Sequence, residues 1–142
     1  MNGNAELLNF ICQNSQMGMQ TIEQLMEITE DGKFLKQLST QFKEYTDINT
    51  TAKEMLNQNH FIGKDSSSFE KLSTYLMINL KTLTDKSSSH IAEMMIDGSN
   101  AGILDATKII KEYSDAEPDI LNLMKKLLKT EENNVKALKE FL

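Results

Sequence analysis

Two polar residues stand where a helix would be expected to bury leucine. Between 120 and 141, alternating steps of four and three residues pick out Ile120, Met124, Leu127, Glu131, Asn134, Leu138 and Phe141, the spacing of one helix face turned to a core. Glu131 and Asn134 fall inside that stripe. Removing a carboxylate from water is strongly unfavourable unless something pairs with it, so its partner is the main chemical question this chain poses. One answer is a hydrogen bond to Tyr45, Asn134 or a buried water at the edge of the stripe. The other is a metal ion, and a single carboxylate compensates poorly for stripping a divalent cation of its water.

The remaining reactive side chains are scattered. His90 and Glu93 are spaced to share a helix face and would support at most a weak, exposed site. His60 stands alone before a glycine- and serine-rich stretch. A metal-binding imidazole needs an orienting partner, so both histidines read first as capping or surface residues. Cys12, the single cysteine, reads as a small buried hydrophobe. No motif gives a serine or cysteine an activating base with its orienter. Gly98 and Gly102 lie in a helical pattern, where they read as close helix packing and not as a phosphate loop. The pairs Met17/Met19 and Met94/Met95 read as adaptable core filling.

Composition narrows the function further. The 142 residues suit one helical domain, and 39% hydrophobic with 25% charged content belongs to a soluble globular chain. All fifteen basic residues are lysine, so recognition by bidentate guanidinium forks is excluded. A net charge of −6 argues against nucleic acid and anionic membranes as partners. No basic residue precedes Lys33, and the uncharged run from 7 to 22 is too polar to span a bilayer. A cytoplasmic protein without membrane insertion is expected.

The elements that must position these residues follow from periodicity. A first helix is expected over 5–29, with Leu8, Ile11, Ser15, Gly18, Ile22 and Leu25 inward, ended by an Asp31-Gly32 turn. A second covers 33–57, with Leu35, Leu38, Phe42, Tyr45, Ile48, Ala52 and Met55 inward, and so short a connection makes the two a hairpin. Residues 59–86 read as a crossover carrying a shorter helix on Phe69, Leu72, Leu76, Leu80 and Leu83; one continuous helix over 69–113 is the alternative. A third helix covers 88–113. Pro118 opens the fourth, where its missing N–H is no loss. The expected domain is 1–142, made of hairpins 5–58 and 88–142 and the crossover 59–86. Phe61, Phe69, Leu72 and Leu76 have no inward place in four helices, which points to a homodimer through that segment or the faces beside it.

The hairpins repeat each other. An offset of 86 aligns 34–56 with 120–142 without a gap, and Leu35/Leu121, Lys43/Lys129, Lys53/Lys139, Glu54/Glu140 and Leu56/Leu142 are identical. An offset of 84 lays Ser15-Gln16-Met17-Gly18 on Ser99-Asn100-Ala101-Gly102. The change of offset falls in the turns, where insertions are tolerated.

Two repeated helical hairpins joined by a long crossover resemble the ferritin-like superfamily, closest to its small rubrerythrin-related bacterial bundles. His90-Ile91-Ala92-Glu93-Met94-Met95-Ile96-Asp97-Gly98-Ser99 through Phe141 is similar to their second hairpin. The resemblance implies an all-α, up-down four-helix bundle with a crossover helix. It also implies a di-iron site with a carboxylate from helices one and three and Glu-x-x-His from helices two and four. That ligand set is eroded here. Glu131 matches, but Asn134 stands where the histidine belongs, Tyr45 and Ile48 hold the helix-two positions, and Ser99 or Asn100 the helix-three position. Helix one has no acidic residue between Glu6 and Glu23. The resulting expectation is a non-catalytic bundle acting through protein contacts, with no metal or other cofactor. The alternative is a divergent metal-binding or di-iron oxidoreductase holding iron or another divalent metal, and its ligands would come from Glu131, Glu93 and His90.

Overall fold

The computed structural model describes residues 3–61 and 83–142. Among them every regular element is helical. Helix α1 spans Asn4–Ile28, α2 Gly32–Gln58, α3 Ser88–Glu112 and α4 Pro118–Leu138, which tightens into a 3-10 turn over Lys139–Phe141. Of the expected crossover helix, Phe69, Leu72, Leu76 and Leu80 lie outside the described residues, while Leu83 is not helical. Leu83 and Phe61 both pack partly buried against the core, so Phe61 has the inward place that four helices were not expected to offer it. The chain is not helical over 83–87, so a single helix over 69–113 is ruled out. No helix among the described residues is long and apolar enough to cross a membrane.

Side-chain chemistry sets the helix ends. Asp31 is the N-cap of α2 and accepts from the Lys33 amide at 3.0 Å, satisfying an otherwise orphaned donor. The Asp31-Gly32 pair therefore opens the second helix instead of ending the first, because capping uses the aspartate more fully than a turn would. The other Asp31 oxygen accepts from Ser88 Oγ at 3.0 Å, tying this connection to the start of α3. Ser87 caps α3 by accepting from the His90 amide at 3.3 Å. At the far end of α2, Phe61 N–H donates to Leu56 O at 2.9 Å and His60 N–H to Asn57 O at 3.1 Å, with His60 at φ 57°. These two bonds make a Schellman cap, which assigns His60 a backbone role.

Each helix packs most extensively on its sequence neighbour, α1 on α2 and α3 on α4, while α4 also touches both α1 and α2. Along the first pair, Ser15 meets Asn49 and Gly18 meets Tyr45; advancing on α1 means retreating on α2, the register of antiparallel helices. Phe34 and Phe141 close one end with ring centroids 4.9 Å apart. At the other, Asn4 Oδ1 accepts from the Glu117 amide at 3.0 Å, joining the start of α1 to the start of α4.

The inward stripe of α4 is as expected, Ile120 through Leu138, with Phe141 packed partly buried against the core. That of α2 is shifted. Phe34, Gln41 and Leu56 are buried, while Leu35, Phe42 and Met55 are only partly so. Positions 41 and 42 are both compatible with a helical step back from Tyr45, so periodicity alone cannot choose between them; the packing buries the glutamine. Helix α3 differs from the rest. It buries only Ile91, Ala92 and Ala106, against eight residues of α4.

Candidate functional site: a buried carboxylate between Tyr45 and Ser99

Glu131 is the only charged side chain buried among the described residues, at 3% exposure. The α4 register carries it inward, since Leu127 and Asn134 on the same face are buried with it. The hydroxyls of Tyr45, from α2, and Ser99, from α3, donate to its carboxylate. These bonds favour the charged form, but loss of water outweighs them and raises the Glu131 pKa to about 7. Tyr45 is pushed upward as well, first by burial and then by the adjacent Glu131 charge. Its phenol stays neutral through the physiological range and remains a donor.

Glycine makes room for this arrangement. A Cβ on Gly102 would lie 3.4 Å from Glu131 Oε1 and 3.5 Å from Asn14 Nδ2. A Cβ on Gly18 would lie 3.0 Å from the Tyr45 ring. The repeat read from the sequence thus has a physical counterpart. Ser15 and Gly18 on α1 correspond to Ser99 and Gly102 on α3, and Tyr45 on α2 corresponds to Glu131 on α4. In each hairpin the glycine admits the partner's large side chain, and the two admitted side chains then bond to each other.

Two amides extend the polar layer. Asn134, 3% exposed, lies beside the Tyr45 phenol, where its proximity favours the phenolate. Its Nδ2 nevertheless makes no hydrogen bond of good geometry, and neither does Nε2 of Gln41, which is 1% exposed. Phe34 meets Phe141 and Tyr45 meets Glu131; continuing that register places Gln41 level with Asn134 and Val135. Within the first hairpin, Asn49 Nδ2 donates to Cys12 O at 3.1 Å and to Ser15 Oγ at 3.0 Å, while Ser15 Oγ donates to Ile11 O at 2.6 Å.

The other expected site residues are not gathered here. Glu93 is exposed, and His90 is half-buried in the first turn of α3, nine residues before Ser99 and hence roughly 13 Å along the helix. Among the described residues no group of three or more His, Cys, Asp or Glu is placed to hold a metal ion. Cys12 is half-buried, and burial pushes its thiol up against the weaker opposing pull of Lys53, leaving it a poor nucleophile at neutral pH. Sequence reasoning overlooked Gln41 and Asn49. Both sit at helical spacing from Tyr45, and only their polarity hid them. Comparison with protein-family models, curated proteins and solved structures returns no match.

Proposed function

We propose that the chain is a non-catalytic helical bundle, of the up-down ferritin-like build its repeat suggests, that acts in the cytoplasm through contacts with protein. One observation carries this reading. The buried carboxylate, where the interior chemistry of such a bundle would reside, is held by two neutral hydroxyls, Tyr45 and Ser99, and among the described residues no group of three or more His, Cys, Asp or Glu is placed to hold a metal ion. A carboxyl titrating near neutrality can serve as a general base. Here it is 3% exposed, and among the described residues the groups set against it are the Tyr45 and Ser99 hydroxyls and Gly102, which supports a structural over a catalytic role. The net charge of −6 supports a protein partner over nucleic acid.

Metal titration tests the reading against the alternative of a divergent metal-binding or di-iron protein. A ligand that binds only the folded state raises the melting temperature. Ferrous, manganous and zinc ions are each expected to leave the melting temperature unchanged, in wild type and in Glu131→Gln alike, and chelator likewise. A rise in wild type that disappears in Glu131→Gln would overturn the proposal and make Glu131 a metal ligand.

A further inference from the structure

We propose that the outward face of α3 is a self-association surface, on which two copies of this chain pack their α3 helices antiparallel about a two-fold axis. The inference rests on the reading of the protein as one that acts through protein contacts, and names the partner as a second copy. Alternating steps of three and four residues along α3 give Met94, Asp97, Ala101, Leu104, Lys108 and Lys111, the seam by which two helices pack side by side. Five of these residues are exposed and Met94 is half-buried. Leu104, 56% exposed, is the only large hydrophobic residue strongly exposed within a helix among the described residues; the other, Leu142, lies outside any helix. Beside the seam, a Cβ on Gly98 would meet nothing within 4 Å, so a second helix can approach closely. The outward face of α4 offers nothing comparable, since Lys125, Lys126, Lys129, Glu132 and Lys136 leave no apolar residue at its centre.

Charge selects both partner and direction. In an antiparallel pair centred between Ala101 and Leu104, each Leu104 covers Ala101 of the second copy, large against small. Asp97 then faces Lys108 of the second copy on either side, and Met94 lies along the apolar stem of Lys111. A parallel pair would set Asp97 against Asp97 and Lys108 against Lys108, which is repulsive. The same patch serves both copies, so the assembly closes at two. The seam is short, and the dimer is accordingly weak, with a dissociation constant on the order of tens of micromolar.

Sedimentation equilibrium of the full chain, from about 10 µM to about 0.5 mM, bracketing that constant, tests this. Wild type is expected to shift from monomer to dimer across the range. Leu104→Lys should weaken association at least about tenfold with the far-ultraviolet circular dichroism unchanged, because the site is exposed. Asp97→Lys and Lys108→Asp should each weaken it, and an equimolar mixture of these two variants should regain it as a heterodimer with both charge pairs restored. A wild-type monomer throughout, a dimer undiminished in Leu104→Lys, or a mixture that fails to regain association would each overturn the proposal. None of these would imply a metal site, whereas metal-dependent stabilisation lost in Glu131→Gln overturns the parent reading whatever the state of association.

Discussion

The two hairpins use the same scaffold to bury different polarity. In the first, Ser15 is turned back on its own helix and held by Asn49, and Gly18 admits the aromatic face of Tyr45. In the second, Ser99 donates across to Glu131, and Gly102 admits a carboxylate. One hairpin satisfies a neutral serine within itself. The other leaves a group that must reach into the first hairpin for its second donor, Tyr45. A repeated helix pair can thus keep its backbone packing while the chemistry inside it diverges, provided each buried polar atom finds a partner somewhere in the interior. The unpartnered nitrogens of Gln41 and Asn134 mark where that accommodation is incomplete.

The largest expected effect separates the hairpins by charge. Burial lifts the Glu131 pKa to about 7 from the 4.5 of a free glutamate. Below 4.5 both folded and unfolded chains hold the proton; between 4.5 and about 7 only the folded chain does, so stability falls as pH rises through this window and stays low above it. The gap corresponds to a ceiling of about 3 kcal/mol. Glu131→Gln keeps the shape and abolishes this slope. It is expected to be near neutral at pH 5 and stabilising by about 1–3 kcal/mol at pH 8. Asp31, held below the usual carboxylate range by Ser88, and Asp85, held there by the Ser87 amide, act in the opposite sense in acid, so denaturant unfolding should be compared from pH 5 to 8.5. A difference between the two proteins that does not grow with pH would remove the charge from the comparison.

Next comes Gly18→Ala. Its methyl would meet the Tyr45 ring at 3.0 Å, so a buried ring that also holds Glu131 must give way by a few tenths of an ångström. Overpacking of this kind is expected to destabilise by about 1–3 kcal/mol, offset only in part by the better helix propensity of alanine. Equilibrium unfolding should show this loss in wild type and a smaller one in the Glu131→Gln background, where less depends on the Tyr45 hydroxyl.

The smallest effect is at the matching glycine. Gly102→Ala brings a methyl to 3.4 Å from Glu131 Oε1, close to ordinary contact, and helix propensity favours alanine by roughly 1 kcal/mol. Its stability is expected to lie within about 1 kcal/mol of wild type, while the methyl further desolvates the carboxylate and steepens the fall in stability with pH. If Gly102→Ala proved as damaging as Gly18→Ala, the hairpins would be equally tight and the asymmetry argued from them would fail.

The sequence by itself determined the four helices and the inward stripe of α4, because a 3.6-residue period of apolar side chains survives two polar interruptions when seven positions vote together. It also pointed to Glu131 and named Tyr45 among its partners, since a carboxylate inside such a stripe must be hydrogen-bonded somewhere. Only the tertiary structure decided the rest. Whether Gln41 or Phe42 turns inward depends on which of two adjacent positions the neighbouring helices cover, and local periodicity is blind to that. The Asp31-Gly32 pair is equally good chemistry for ending a helix or starting one; the position of the last turn of α1, at Ile28, settled it. Ser99 became a ligand of Glu131 because α3 and α4 pack along each other, a relation between residues far apart in the chain. The outward seam of α3 has the same spacing as the inward seam of α4. Which one is core and which is surface is settled by what packs against each, and no single helix carries that information.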